Sequence, residues 1–263
     1  MIQKKVGLEA EYILQNEEGE ISLIPSWWDQ DDFPLLGEIR GQEGEKPWET
    51  IGNFHTKHAQ VLDTVSKGGY KLLTPLVQRI SLKTYQEALR KSQIKDKINR
   101  RIHNANGLDI TEFSDQIIKG GKIQGVNISC GLHVHFSCMD EDTVTVSQSK
   151  YEPVVIPLSV EQMKTSLSLY RYEGYEEEKE LKAKASQLTR PAIEWIVKEM
   201  DAEFFNRFVP EKKQRTKYRN PGYYELKPYG FEYRSLPFND EVMNAIPEIV
   251  NKSFELLDRL NKW

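Results

Sequence analysis

A strict alternation of polar and apolar residues runs through positions 127–138, which read Asn-Ile-Ser-Cys-Gly-Leu-His-Val-His-Phe-Ser-Cys. Successive side chains of a β-strand point to opposite faces, so this pattern predicts one strand with a polar face and an apolar face. The polar face carries His133 and His135, about 7 Å apart. A polar face of this kind is either solvated or part of a functional site.

Three further segments place two charged side chains two residues apart, opposite an apolar face. These are residues 5–14 with Glu9 and Glu11, residues 33–40 with Glu38 and Arg40, and residues 223–237 with Glu232 and Arg234. A solvated surface is the usual explanation for a single pair. Four pairs in one chain predict a sheet whose polar face is one shared site, with helices covering the other face.

Helical spacing and helix-start residues predict the elements around this sheet. Amphipathic or helical composition indicates helices at 54–66, 81–106, 159–187 and 189–208, and a closing helix capped by Asn239 or Asp240. Residues 70–80 contain Pro75, which favours an edge strand or an irregular one. Residues 41–49 and 141–153 are predicted to lack regular structure. The whole predicts a single α+β domain over residues 1–263.

Composition narrows the functional classes. The chain has 263 residues, 38% of them hydrophobic, and a formal net charge of -4, which argues against a nucleic-acid-binding protein. No signal-like leader and no apolar run of about 20 residues occurs, so neither secretion nor membrane insertion is expected. Cys130 and Cys138 would lie about 26 Å apart along the strand. We expect reduced thiols and a cytoplasmic protein.

The predicted polar face collects four carboxylates, two imidazoles and two guanidinium groups. Crowded carboxylates need cations nearby, and hard divalent ions such as Mg²⁺ or Mn²⁺ prefer carboxylate oxygens and accept an occasional imidazole. The two arginines favour an anionic substrate. Together these groups indicate phosphoryl transfer from a nucleotide. No Walker-type loop and no Gly-x-Gly-x-x-Gly sequence is present, which disfavours P-loop and Rossmann sites.

Four motifs carry a resemblance to a known family. They are Gly-Leu-Glu-Ala-Glu-Tyr at 7–12, Leu-Gly-Glu-Ile-Arg at 36–40, Gly-Leu-His-Val-His-Phe-Ser at 131–137 and Gly-Phe-Glu-Tyr-Arg-Ser-Leu-Pro at 230–237. In this order they resemble the carboxylate–amine ligase (amidoligase) family, especially its phage-type branch. That family is related to glutamine synthetase and glutamate–cysteine ligase. The resemblance implies a glutamine synthetase-like curved antiparallel sheet with helices on one face, and no separate N-terminal β-grasp domain.

The resemblance also implies an activity and its metal ligands. ATP would phosphorylate a substrate carboxylate, and an amine would then attack the acyl phosphate to form an amide. Glu9, His133 and Glu232 would hold the Mg²⁺ or Mn²⁺ ion that bridges the ATP phosphates. Glu11 and Glu38 would hold a second ion near the substrate.

The remaining implied roles concern ATP and the substrate. Arg234 would stabilise the transferring phosphoryl group, and Arg40 would bind the substrate carboxylate. His135 would contact the nucleotide or support the metal site. Arg219 and Lys227 would contact phosphate, although a solvated loop explains them equally well.

Two alternatives stay open at this point. His-Val-His on a strand begins a cupin motif, which would indicate a metal-dependent oxygenase, but the next glutamate, Glu141, comes six positions after His135 and no later histidine follows. A non-catalytic module that binds a nucleotide or a protein is the other alternative. For a ligase, the acid and the amine could each be a small molecule, a peptide or a protein side chain, and the oligomeric state is open.

Overall fold

The computed structural model describes the backbone of residues 3–25, 28, 35–81, 83–84, 87, 102–104, 115–119, 122–148, 177–209, 220–227 and 229–260. Side chains are described for the same residues except 102–104, 115–119, 122–126, 140–148 and 177–185. Within this part of the chain, helices combine with a sheet whose strand pairs are antiparallel, which confirms the predicted α+β class.

The larger sheet of the described residues has nine strands and is built around β9 (Gly131–Gln148), which lies between β1 (Gln3–Gln15) and β12 (Gly230–Pro237). The other strands extend it from these three. They are β2 (Ile21–Ser22), β3 (Gly37–Arg40) and β4 (Lys71–Leu73) beside β1, β10 (Glu177–Ser186) beside β9, β11 (Tyr223–Lys227) beside β12, and β6 (Ile102–Asn104) beside β11.

A second sheet of three strands interrupts the predicted histidine strand. It contains β5 (Gln78–Ser81), β7 (Asp115–Lys119) and β8 (Lys122–Ile128). The prediction of one strand over 127–138 is therefore wrong at its start, because β8 ends at Ile128 and β9 begins at Gly131. At Cys130 the backbone N–H points to the Pro75 carbonyl, and the carbonyl accepts from Phe238 N–H, so the chain turns from one sheet into the other.

A long two-stranded ribbon occupies segments that were predicted otherwise. Strand β9 continues through Gln148, and β10 pairs with it in register from Glu177 to Ser186. The predictions of an irregular segment at 141–153 and of a helix at 159–187 are thus wrong over these residues. A run of charged side chains has no hydrophobic period, so its composition could not distinguish a strand from a helix.

Pro75 divides the predicted strand at 70–80. Strand β4 precedes this proline and belongs to the larger sheet, whereas β5 follows it and belongs to the smaller one. The predicted helix at 81–106 lies largely outside the described residues, but Ile102–Asn104 within it forms β6.

The described helices longer than one turn begin at residues suited to helix starts. Their bounds, with the connecting π-helical segment and the single turn α3, are α1 (Pro47–Lys67), α2 (Arg190–Met200), the π-helical segment (Asp201–Phe205), α3 (Asn206–Phe208), α4 (Asp240–Asn244) and α5 (Ile246–Arg259). The Thr189 hydroxyl accepts from Ala192 N–H at 3.4 Å, and the Asn239 side chain accepts from Val242 N–H at 2.9 Å. Both contacts confirm the predicted helix starts.

Prolines correct two helix boundaries. Pro47 lies in the first turn of α1, so this helix begins seven residues earlier than predicted, within the segment 41–49 that was predicted to be irregular. Pro247 lies in the first turn of α5 and separates it from α4, where one closing helix was predicted. None of the helices in the described part of the chain is long and apolar enough to cross a membrane.

Helices and sheet share one apolar core. The apolar faces of β1, β9 and β12 supply fully buried side chains, among them Val134, Phe136 and Phe231. Helix α1 contacts β1 and β3, helix α5 contacts β1 and β9, and the π-helical segment contacts β12. Burial of one parity under these helices leaves the other parity of the same strands for polar residues.

Asp201 ties the π-helical segment to the hairpin of β11 and β12. Its carboxylate accepts hydrogen bonds from the Tyr233 hydroxyl, at 2.6 Å, and from Gly222 N–H. Burial raises the pKa of this carboxyl to about 6. The hairpin is therefore held against the helical layer at both of its strands.

We predict that Gly230→Ala destabilises the protein by about 3 kcal/mol, combining overpacking with backbone strain. A Cβ at Gly230, where φ is +155°, would lie 2.1 Å from the Phe136 carbonyl oxygen, which belongs to the backbone of β9 and cannot move aside. Gly52→Ala is the matched control, because a Cβ there meets no atom within 4 Å and alanine favours helix α1. Urea unfolding of both variants measures the difference. Equal stability of the two would contradict the close approach of β12 to β9.

Candidate functional site

The strand registers bring the predicted pairs side by side on the polar face. Glu9 of β1 lies opposite Arg40 of β3 on one side and opposite His133 of β9 on the other. Glu232 of β12 lies opposite His135 of β9. Charged residues predicted from four separate segments therefore form one continuous cluster.

A cavity of about 380 Å³ opens on this polar face. Its wall combines carboxylates with cationic, imidazole and phenol groups. These side chains are Glu9, Glu38, Glu43, Glu232, Arg40, Lys227, Arg234, His135 and Tyr229. Such a mixed wall, with acids on several strands and cations beside them, suits a charged ligand bound together with a metal ion.

His133 is completely buried beneath the cavity, between three carboxylates. Its Nδ1 atom lies 3.1 Å from Glu9 Oε1 and 2.8 Å from Glu232 Oε1, and its Nε2 atom lies 3.4 Å from Glu11 Oε1. Burial opposes a charge on this ring, but the carboxylates of Glu11 and Glu232 raise the pKa of His133 above its ordinary value. A protonated His133 would neutralise part of the surrounding negative charge.

Two of these carboxylates are held in the ionised form. Burial by itself would raise the pKa of Glu9, but hydrogen bonds with His133 and His135 lower it below the ordinary range. Burial acts the same way on Glu232, whose pKa is brought well below the ordinary value by Arg234 and His133. Both side chains are thus negatively charged at neutral pH and able to bind a cation.

Glu9, His135 and Glu232 form a group of potential metal ligands, with one donor atom of each lying within 4.8 Å of the others. His135 Nε2 is 3.5 Å from Glu9 Oε2, while its Nδ1 lies 2.5 Å from the Tyr229 hydroxyl oxygen. The phenol thereby orients the ring so that Nε2 faces the carboxylates. Two carboxylates and one imidazole fit a hard divalent ion such as Mg²⁺ or Mn²⁺.

Both histidines of the motif therefore reach Glu9 and Glu232, from opposite sides. His133 contacts the two carboxylates from the buried side, and His135 joins them from the cavity, with 16% of its side chain exposed. The role of His133 as a metal ligand and the role of His135 in nucleotide contact stay predictions.

The residues predicted for a second metal lie beside this group. Glu11 and Glu38 are directly opposite each other on β1 and β3, and both are buried. Glu11 Oε2 accepts from Gly131 N–H at 2.7 Å, and Glu38 bonds with Arg40. Neither belongs to the group of three close donors, and a second ion at these residues stays a prediction.

The cationic side chains occupy two places on the wall. Arg40 lies at the rim with 59% of its side chain exposed, and its Nε atom is 2.6 Å from Glu9 Oε2. Arg234 and Lys227 lie on the opposite flank beside Glu232, with 5% and 22% of their side chains exposed. Arg219 lies outside the described residues.

Three residues of the site are additional to those predicted. Glu225 is buried on β11 and contacts Arg234 and Lys227, while Glu43 and Tyr229 line the cavity from loops. A signal for Glu225 existed, because Glu225 and Lys227 repeat the spacing of two residues seen on the other strands. The loop residues carry no periodic signal.

Comparisons of this chain with protein-family models, with curated proteins and with solved structures find no match. The functional proposal below therefore depends on the chemistry of the cavity and on the resemblance of the four motifs.

Proposed function

We propose that this chain is an ATP- and Mg²⁺-dependent carboxylate–amine ligase with a glutamine synthetase-like fold, related to the phage-type amidoligases. The observation that supports this most strongly is the pairing of opposite charges within one cavity. A group of metal donors, Glu9, His135 and Glu232, lies beside Arg234 and Lys227 on the same wall. Metal ligands next to anion-binding cations are what a magnesium–nucleotide complex requires.

Glu9 and Glu232 would hold a divalent ion together with a histidine of the motif. The bound ion would supply positive charge to the β- and γ-phosphate oxygens of ATP. Arg234 presents a guanidinium group and Lys227 an ammonium group next to Glu232, where they would bind the oxygens of the transferring phosphoryl group.

Arg40 is placed to bind the second substrate. It is the most exposed cation of the cavity wall, and Glu9 and Glu38 hold its guanidinium group at the rim. A carboxylate bound there could attack the γ-phosphorus of ATP with its own oxygen, and ADP would leave. The amine nitrogen would then attack the acyl carbon, releasing phosphate and a proton and leaving an amide.

The same contacts count against the cupin-like oxygenase. A non-haem iron oxygenase typically uses two histidines and one carboxylate, whereas the donor group here has one histidine and two carboxylates. An oxygenase also gives no function to the three cations Arg40, Lys227 and Arg234. These cations favour a ligand with several anionic oxygens.

The test is ADP release from ATP in the presence of pooled carboxylic acids and amines, with mass spectrometry of the products. We expect ADP only when Mg²⁺ or Mn²⁺ is present, and a product heavier than the acid by the amine minus water. With an ¹⁸O-labelled carboxylate, one label should appear in the released phosphate, because that oxygen attacked phosphorus. Amide formation without label transfer, or an absence of metal-dependent nucleotide binding, would contradict the proposal.

A further inference from the structure

Four charged residues on β11 and β12 form a closed ring of ion pairs. Lys227 Nζ lies 3.0 Å from Glu225 Oε1 and 2.8 Å from Glu232 Oε2. Arg234 Nη1 contacts Glu225 Oε2 at 3.1 Å and also bonds with Glu232 Oε1. Each cation thus contacts both carboxylates, and each carboxylate oxygen serves a different cation.

The two carboxylates of the ring are not equivalent. Glu232 faces the cavity and belongs to the donor group with Glu9 and His135. Glu225 lies opposite Glu232 on the neighbouring strand, one strand farther from the histidines, and is not part of that group. Its two oxygens are occupied by Lys227 and Arg234.

We propose that Glu225 is a positioning residue, which shares the two cations with Glu232 and so keeps Glu232 available to a divalent metal ion. This inference depends on the proposed metal-dependent function. A metal ion on Glu232 must compete with Lys227 and Arg234 for the same two oxygens. Because Glu225 offers each cation a second carboxylate oxygen, both cations keep an ionic partner when Glu232 turns toward the metal.

The ring also controls where the cations point. With Glu225 in place, Lys227 and Arg234 stay on the flank of the cavity beside the metal donors, where phosphate oxygens would lie. Without that carboxylate, both cations would depend on Glu232 alone. They would then block its oxygens and weaken metal binding, although the fold and the metal ligands themselves are unchanged.

The first test is the affinity of Glu225→Gln for Mn²⁺ in the absence of nucleotide, measured by calorimetry or by electron paramagnetic resonance. Loss of a supporting residue behind a metal ligand typically weakens metal binding 10- to 100-fold, so we expect a dissociation constant about 10-fold higher than that of the wild type. Glu248→Gln is the matched control, because Glu248 forms a surface ion pair with Arg207 far from the ring in sequence. Its dissociation constant should equal that of the wild type.

The second test is the double variant Glu225→Gln, Lys227→Gln, which removes one charge of each sign from the ring. Only Arg234 then competes for Glu232, so most of the lost Mn²⁺ affinity should return. A purely structural role for Glu225 predicts no such recovery, because the double variant is farther from the native side chains. This variant also keeps the test valid if the unbalanced single variant folds poorly.

The outcomes separate this inference from the proposed function. If the wild type binds no Mn²⁺, the metal-dependent function fails, and the role of Glu225 fails with it. If the wild type binds Mn²⁺ and folded Glu225→Gln binds it equally well, only the role of Glu225 is overturned. Failure of the folded double variant to bind Mn²⁺ more tightly than Glu225→Gln would overturn it as well.

Discussion

Glu232→Gln is expected to reduce Mg²⁺-dependent ADP formation by about 1,000-fold, the upper end of what one preorganised electrostatic group contributes. Glu232 is the residue on which the proposed site converges. Its carboxylate lies 2.8 Å from His133 Nδ1 and 2.8 Å from Lys227 Nζ, bonds with Arg234, and faces Glu9 and His135 across the metal-donor group. The glutamine keeps the shape but loses the charge that a metal ion needs.

Metal binding must fall together with turnover in this variant. We expect Mn²⁺ binding to be lost over the concentration range that saturates the wild type, because a neutral amide is a poor ligand for a hard cation. The control is again Glu248→Gln, which removes a glutamate charge from an exposed ion pair. Circular dichroism and thermal unfolding show whether the variant is folded. A folded Glu232→Gln that turned over ATP at the wild-type rate would refute the assignment of the site.

The paired charges of the site could be predicted because they follow from local geometry. A strand repeats every two residues, so Glu9 with Glu11 and His133 with His135 must share a face wherever their strands lie. The buried opposite parity, such as Val134 and Phe136, fixes which face that is. The α+β class followed from the same pattern, combined with helices that carry one apolar stripe.

The relation between neighbouring strands was beyond a local pattern. His133 and His135 are equivalent in the sequence, yet one is fully buried and the other reaches the cavity. Their difference arises from what lies across the strands. His133 is opposite Glu9, and His135 lies between Gly7 and Glu232, where the missing side chain of Gly7 leaves room for Glu43.

Segments without an apolar face were predicted least well. The strand Glu177–Ser186 is composed mainly of charged residues and alanine, so no hydrophobic period identifies it, and its partner on β9 decides its structure. Glu43 and Tyr229 reach the cavity from loops, whose course depends on tertiary contacts. Such residues become visible only when the strands on both sides are in place.

The second large effect is expected for Arg234→Lys, which should lower the turnover number by about 1,000-fold while leaving metal binding nearly intact. An arginine that stabilises a transferring phosphoryl group contributes 10³- to 10⁵-fold to turnover. The guanidinium fork of Arg234 can bond with Glu225 and Glu232 while presenting further N–H groups to phosphate oxygens. A lysine keeps the charge but has one compact ammonium group, so it cannot hold both carboxylates and a phosphoryl group in the same geometry.

The separation of metal binding from turnover makes this prediction specific. Glu232→Gln should lose both, whereas Arg234→Lys should keep its Mn²⁺ dissociation constant within about threefold, because the charge balance of the ring is preserved. Arg190→Lys is the matched control, since Arg190 pairs with Glu194 at 3.0 Å on the surface of α2. If Arg234→Lys retained wild-type turnover, a positive charge alone would suffice at this position. The transferring phosphoryl group would then have to be stabilised by other cations of the cavity, namely Lys227 or Arg40.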